Sequence, residues 1–259
     1  MRRTKIKINK SDFPTILHPF LEGACVFDSS CSMEARVFYI DKDEGLYLKK
    51  APAGTLKAEA EMTEYFNKKS LASPVIDYVT DSEDWLLTKK VAGEDCTYAK
   101  YLDDPKRLCD NIATLLRQLH ETDFSDCPID RVKSYIGTVE SSYKRGHFDN
   151  DVTDETRNLD REAAYRIACE NKHLLTNEVL LHGDYCLPNI MLDDWKFSGF
   201  VDLGNGGVGD RHIDLFWGAW TLKYNLGTDI WRERFFGCYG RDKIEIDKLR
   251  IIAAMECFG

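Results

Sequence analysis

Apolar and polar positions alternate differently in the two parts of the chain. Up to about residue 90, apolar residues fall in short runs between polar turns. Ala35–Ile40 and Leu46–Lys49 read as two strands joined by the turn Asp41-Lys42-Asp43-Glu44-Gly45. Val75–Val79 and Trp85–Leu87 read as two more. Between the pairs, Leu56 to Lys69 has helical spacing, with Met62, Tyr65 and Phe66 on one face. After Val91-Ala92-Gly93 helices dominate. Residues 105–120 carry an apolar stripe of Leu108, Ile112, Leu115, Leu116 and Leu119. Further helices are predicted around 130–144, 160–175, 211–226, 229–237 and 247–257, with Asp210 and Asp247 as N-caps. This gives an α+β, bilobal architecture: a small β-rich lobe over residues 1–91, a hinge near 89–94 and a larger, mainly helical lobe over 92–259.

The helical part is interrupted by a second β pattern, and the chemistry gathers there. Val179-Leu180-Leu181 leads into His182-Gly183-Asp184-Tyr185-Cys186-Leu187-Pro188-Asn189. Ile190-Met191-Leu192 and Phe197–Val201 then read as an antiparallel hairpin, turned by Asp193-Asp194-Trp195-Lys196 and followed by Asp202-Leu203-Gly204. A hairpin brings the start of its first strand beside the end of its second. Asn189 and Asp202 are therefore expected to converge, with Asp184 five residues before Asn189 on the entering loop. An amide oxygen and a carboxylate suit magnesium, which keeps few protein ligands alongside phosphates and water. A further carboxylate at that point can take the proton of an attacking hydroxyl, the arrangement that phosphoryl transfer requires. The same template asks for a strand lysine on the α/β-phosphates and a helix glutamate holding it. Lys49 and Glu61 are the expected pair, with Glu59 and Glu64 competing on the same helix. Asp28-Ser29-Ser30-Cys31-Ser32, before the first hairpin, is a small polar loop suited to approach phosphates.

Composition narrows the setting. The 259 residues are 43% hydrophobic and 31% charged, which fits a globular enzyme of two lobes, and no apolar run reaches membrane-spanning length. A net charge of −9 argues against nucleic acid as a partner and is compatible with a cationic substrate. The nine cysteines form no C-x-x-C pair or zinc spacing. Reduced thiols, with no apolar leader after the basic start, point to the cytosol.

The residues from 180 to 214 resemble the aminoglycoside 3′-phosphotransferases, the kanamycin kinases. The match lies in His182–Met191, Phe197–Asp202 and Gly207-Val208-Gly209-Asp210-Arg211 through Asp214. It extends to Leu116–His120, Asp126-Cys127-Pro128 and the acidic stretch Phe148–Glu155. The resemblance implies a protein-kinase-like fold with ATP or GTP as co-substrate and magnesium as cofactor. The acceptor it implies is an aminoglycoside hydroxyl, the 3′-hydroxyl of kanamycin-type compounds, with antibiotic resistance as the outcome. Asp184 would be the catalytic base, Asn189 and Asp202 the metal ligands, and Lys49 and Glu61 the nucleotide lysine and its partner. Ser32 and Met33 would lie in the loop covering the phosphates, and Tyr47 would stack on the base. The backbone at Lys89 and Val91 would read the base edge. His182 would support the loop. Asp151, Asp154, Glu256 and Phe258 would line the acceptor pocket. The implied protein is a monomer or weak dimer.

The chain departs from the family pattern at three places, one of them a pair of residues. Asn205 stands where an arginine is usual, Tyr224 and Asn225 where an acidic pair is common, and Met255 where an Asp is frequent. Each removes a charge from the expected pocket. A kinase of the same fold acting on another small acceptor, choline-like or fructosamine-like, is the alternative. A non-catalytic nucleotide-binding protein is disfavoured because Lys49, Asp184, Asn189 and Asp202 are all present. A protein kinase is disfavoured because no A-P-E motif follows Asp202.

Overall fold

The computed structural model describes residues 3–31 and 35–259. In chain order its elements are β1 (Thr4–Ile6), α1 (His18–Leu21), β2 (Cys25–Asp28), β3 (Arg36–Asp41), β4 (Leu46–Pro52), α2 (Lys57–Lys68), β5 (Val75–Thr80), β6 (Glu83–Lys89) and β7 (Glu94–Asp95). There follow α3 (Ala99–Leu102), α4 (Pro105–His120), α5 (Arg131–Arg145), α6 (Arg161–Asn171), β8 (Val179–Leu181), β9 (Ile190–Asp193), β10 (Lys196–Phe200), β11 (Gly207–Gly209), α7 (His212–Leu226), α8 (Arg232–Tyr239) and α9 (Ile246–Glu256). The chain forms two compact units. One comprises Met1–Asp95 with Met191–Gly204, and the other Cys96–Ile190 with Asn205–Gly259.

The first unit is built on a six-stranded antiparallel sheet in the order β1-β2-β3-β4-β6-β5. The sequence pattern predicts only β3, β4, β5 and β6. β1 offers a single apolar residue between lysines, and β2 has only four residues, so neither shows an alternation of its own. Along β4 the side chains alternate. Leu46 and Leu48 enter a core with Phe13, Leu17, Val26, Phe38, Ile40, Trp85 and Leu87. Ala51 turns to the other face and packs with Leu86, Leu56 and Ala60, which seats α2 on the sheet. Lys49, two residues before Ala51, shares that face. The buried positions of α2 are Glu59, Ala60, Met62, Thr63, Tyr65 and Phe66, one continuous helical stripe. β9 returns to this unit and pairs antiparallel with β7 in the order β10-β9-β7. Phe200 closes the unit, its ring edge-on to Phe66 at 6.2 Å and its N–H donating to the Leu71 carbonyl.

The second unit is helical. Asp104, Asp130 and Asp160 each accept a backbone N–H in the first turn of α4, α5 and α6, as N-caps do. At α7 the cap residue is Arg211, one past the expected Asp210, whose carboxylate accepts the N–H of His212. At α9 the expected cap is displaced: Asp247 lies inside the first turn and Glu245 is the cap residue. α4 packs on α8, and α9 packs on α6 and α7. The short antiparallel pair of β8 and β11, with Leu181 opposite Gly207, supports the loop beginning at His182. No helix among the described residues is long and apolar enough to cross a membrane.

Candidate active site

Within the first unit, Lys49 Nζ lies 2.7 Å from Glu59 Oε2 and 2.8 Å from Asp202 Oδ1. The expected partner Glu61 is not there. It points to solvent and approaches Lys57 at 3.8 Å, an exposed contact within α2. The reason is helical phase. Glu59 lies three residues before Met62 and seven before Phe66, on the buried stripe, while Glu61 faces away. Burial works against the Lys49 charge, but Glu59 and Asp202 outweigh it and hold the ammonium above its usual pKa. Burial raises the Glu59 carboxyl, with Asp202 adding to the rise and Lys49 opposing it. Asp202 adopts φ 60°, and the Gly204 that follows packs against Glu59, where a Cβ would lie 3.6 Å from the Glu59 Cβ. The Asp-Leu-Gly turn thus presents one Asp202 oxygen to Lys49 from a half-exposed side chain.

Within the second unit, the loop from His182 to Asn189 is fixed from beneath by buried Asp214. Its carboxylate accepts the N–H groups of His182 at 2.8 Å and Gly183 at 2.7 Å. The same carboxylate accepts from His120 Nε2 at 3.1 Å, and His120 Nδ1 faces the Tyr239 hydroxyl at 2.8 Å. Arg211 donates to that hydroxyl at 3.2 Å. Burial holds the His120 pKa below its ordinary value against the pull of Asp214. A neutral imidazole completes a single chain of donors, from Arg211 to Tyr239, His120 and Asp214. Gly183 has φ +84°, and a Cβ there would fall 1.8 Å from the Asn205 carbonyl oxygen, so only glycine fits. His182 is buried and accepts the Asp184 N–H through Nδ1 at 3.3 Å. Asn189 turns its amide nitrogen to Asp184, donating to the carbonyl at 3.0 Å and to Oδ2 at 2.8 Å. That orientation spends the amide nitrogen on Asp184 and leaves the amide oxygen free of it. Taken within its own unit, each of Asn189 and Asp202 offers a hard oxygen donor of the kind magnesium takes.

The remaining expected residues are placed unevenly. Ser32 and Met33 lie outside the described residues. Tyr47 lies on the Lys49 face of β4, tilted against Tyr39 at 5.4 Å, and its hydroxyl accepts from Arg3 at 2.8 Å. The Lys89 N–H is already committed to the Pro74 carbonyl, so Lys89 cannot read a base through that donor. Val91 is buried, its side chain against Gly199. Phe258 is fully buried among Tyr143, Phe148 and Tyr165, which removes its ring from any acceptor surface. Glu256 accepts from the Tyr135 hydroxyl at 2.6 Å and from Trp217 Nε1 at 3.1 Å. Burial pushes its carboxyl up to about 7 against those two donors and Arg131, and the Asp184 charge adds to the rise. Asp151 and Asp154 are exposed, but neither is unpaired. Arg157 bonds both, and Lys223 bonds Asp154. At the Asn205 departure, Arg131 from α5 donates to the Asn205 side chain at 2.9 Å, so a guanidinium reaches this point from elsewhere in the chain.

The model of the phosphotransferase enzyme family matches residues 32–251. A probable aminoglycoside 3′-phosphotransferase of Lactococcus lactis is 51% identical over 257 residues, covering 98% of each chain. The chain belongs to this phosphotransferase family. An aminoglycoside 3′-phosphotransferase of Niallia circulans is 29% identical over 86% of this chain and 87% of its own. Among solved structures, an aminoglycoside phosphotransferase of Streptomyces rimosus in complex with ADP and streptomycin shares the fold. It has a TM-score of 0.77 and 24% identity, with 97% of this chain and 99% of that chain covered. The α+β fold with an antiparallel N-terminal sheet and a helical remainder is that of the family.

Proposed function

We propose that this phosphotransferase moves the γ-phosphoryl group of ATP or GTP to an aminoglycoside hydroxyl, the 3′-hydroxyl of a kanamycin-type compound, and so confers resistance in the cytosol. The observation that carries the reading is Lys49 held between Glu59 and Asp202. A buried lysine needs one carboxylate to offset its charge. A second, contributed by an Asp-x-Gly turn, is the arrangement that grips a nucleotide. The names and near-complete coverage of the relatives support the acceptor class.

In this mechanism Lys49 binds the α/β-phosphates, and Glu59 keeps it extended toward them. Asn189 and Asp202 are the oxygens that would hold magnesium, whose charge would neutralise the phosphate oxygens. Asp184, oriented by the Asn189 amide, accepts the hydroxyl proton as the acceptor oxygen bonds the γ-phosphorus and the β–γ bridge oxygen leaves with the diphosphate. Most of the rate comes from positioning and charge complementarity, because the protein forms no covalent bond itself. The test is incubation of the purified chain with kanamycin, magnesium and each triphosphate, with phosphorus NMR of the product. A phosphomonoester at the 3′ position is expected, lost in Asp184→Ala while nucleotide affinity persists. Absence of turnover on every aminoglycoside would refute the acceptor class.

A further inference from the structure

The second unit contains a cavity of about 560 Å³ whose lining includes Asp151, Asp154, Trp220, Lys223 and Tyr224. Two of its features do not follow from an acidic pocket awaiting ammonium groups. First, two of its carboxylates are already paired, Asp151 with Arg157 and Asp154 with Arg157 and Lys223. Second, α7 presents an aromatic stripe at helical spacing. Trp217 meets Trp220 edge-on at 5.4 Å, and Trp220 stacks on Tyr224 at 5.0 Å and 11°. The first two rings of the stripe are anchored. Trp217 Nε1 donates to Glu256, a residue close enough to feel the Asp184 charge, and Trp220 Nε1 donates to the Val152 carbonyl. Tyr224, at the far end, is 72% exposed. A large exposed aromatic stacked on a second ring, inside a cavity, is a surface for the face of a sugar or aminocyclitol ring.

We propose that the acceptor's rings lie along Trp217, Trp220 and Tyr224, and that Lys223 competes with acceptor ammonium groups for Asp154, so that binding rests on stacking more than on charge. This deepens the aminoglycoside reading and rests on it. Lys223 and Arg157 occupy positions that substrate ammoniums would otherwise take, and an exposed ion pair is weak enough to be displaced.

The test uses the full chain, with calorimetric and tryptophan-fluorescence titrations of kanamycin and of singly N-acetylated kanamycin, alongside KM and kcat. Tyr224→Ala is expected to weaken kanamycin binding and raise the kanamycin KM about three- to tenfold, with kcat held within about twofold. Lys223→Met is expected to tighten kanamycin about threefold, and to tighten less the N-acetylated form lacking the ammonium that reaches Asp154. Kanamycin bound and phosphorylated equally well by the wild type and both variants overturns the proposal alone, as does weaker binding in Lys223→Met. A chain that neither binds nor phosphorylates any aminoglycoside, yet still binds ATP, overturns the acceptor reading and this proposal together.

Discussion

Replacing Glu59 by Gln, beside the same change at Glu61, separates two assignments that differ by half a turn of α2. Glu59 Oε2 accepts from Lys49 at 2.7 Å, with the Glu59 side chain 11% exposed and that of Lys49 22%. Hydrogen bonds to charged groups contribute about 1.5–3 kcal/mol. Asp202 remains on Lys49 at 2.8 Å, so the ammonium is not orphaned, and the lower half of that range applies. A loss of about 2 kcal/mol corresponds to about a thirtyfold fall in kcat/KM for the nucleotide. Glu61 approaches only Lys57, at 3.8 Å with both side chains largely exposed. Exposed pairs of that spacing contribute about 0.3–0.5 kcal/mol, so Glu61→Gln should stay within about twofold. The assay is steady-state phosphotransfer at varied ATP and saturating acceptor, with binding of a non-hydrolysable nucleotide measured in parallel. A larger loss in Glu61→Gln than in Glu59→Gln would refute the assignment.

Gly183→Ala should cost about 1–3 kcal/mol of stability, from positive φ and the clash with Asn205, and calorimetry should show Tm lowered by roughly 3–10 °C. Asp214→Ala strands the His182 and Gly183 N–H groups; circular dichroism should show a lowered Tm, and kinetics a kcat reduced at least about tenfold with nucleotide affinity retained. Glu256 is an acid whose folded-state pKa, about 7, lies above its ordinary 4.5. Between those values the folded chain holds a proton that the unfolded chain has released, so its contribution to stability is present below pH 4.5 and lost as pH rises through 7. Tm measured from pH 5 to 8 should therefore fall less steeply in Glu256→Gln than in the wild type.

How much of this was readable from sequence depended on how local each feature is. The loop and hairpin from His182 to Asp202 announce themselves because consecutive residues carry both the turn chemistry and the donors. Helix α4 is predicted at its observed bounds, because Asp104, Pro105 and an uninterrupted apolar stripe mark it. Glu59 was within reach: counting back three from Met62 and seven from Phe66 places it on the buried face. Other features depend on packing between distant segments. No local pattern says that Arg157 and Lys223 will neutralise Asp151 and Asp154, or that Phe258 will be enclosed by Tyr143, Phe148 and Tyr165. The same is true of the chain from Arg211 through Tyr239 and His120 to Asp214, whose members are spread over α4, α7 and α8 and the residue just before α7.

The first unit is not contiguous in the gene. Its sheet is complete by Asp95, but β9, β10 and the Asp202 turn are encoded only after most of the second unit. On the ribosome, at about 5–20 residues per second, roughly 5–20 s separate the synthesis of Asp95 from that of Gly204. Throughout that interval Lys49 and Glu59 can find each other, but the carboxylate that completes the trio does not yet exist. A nascent or truncated chain ending before residue 202 would carry the lysine and its glutamate without the third member. Premature termination anywhere in the intervening stretch therefore gives a product that lacks this trio, however well its N-terminal sheet is formed.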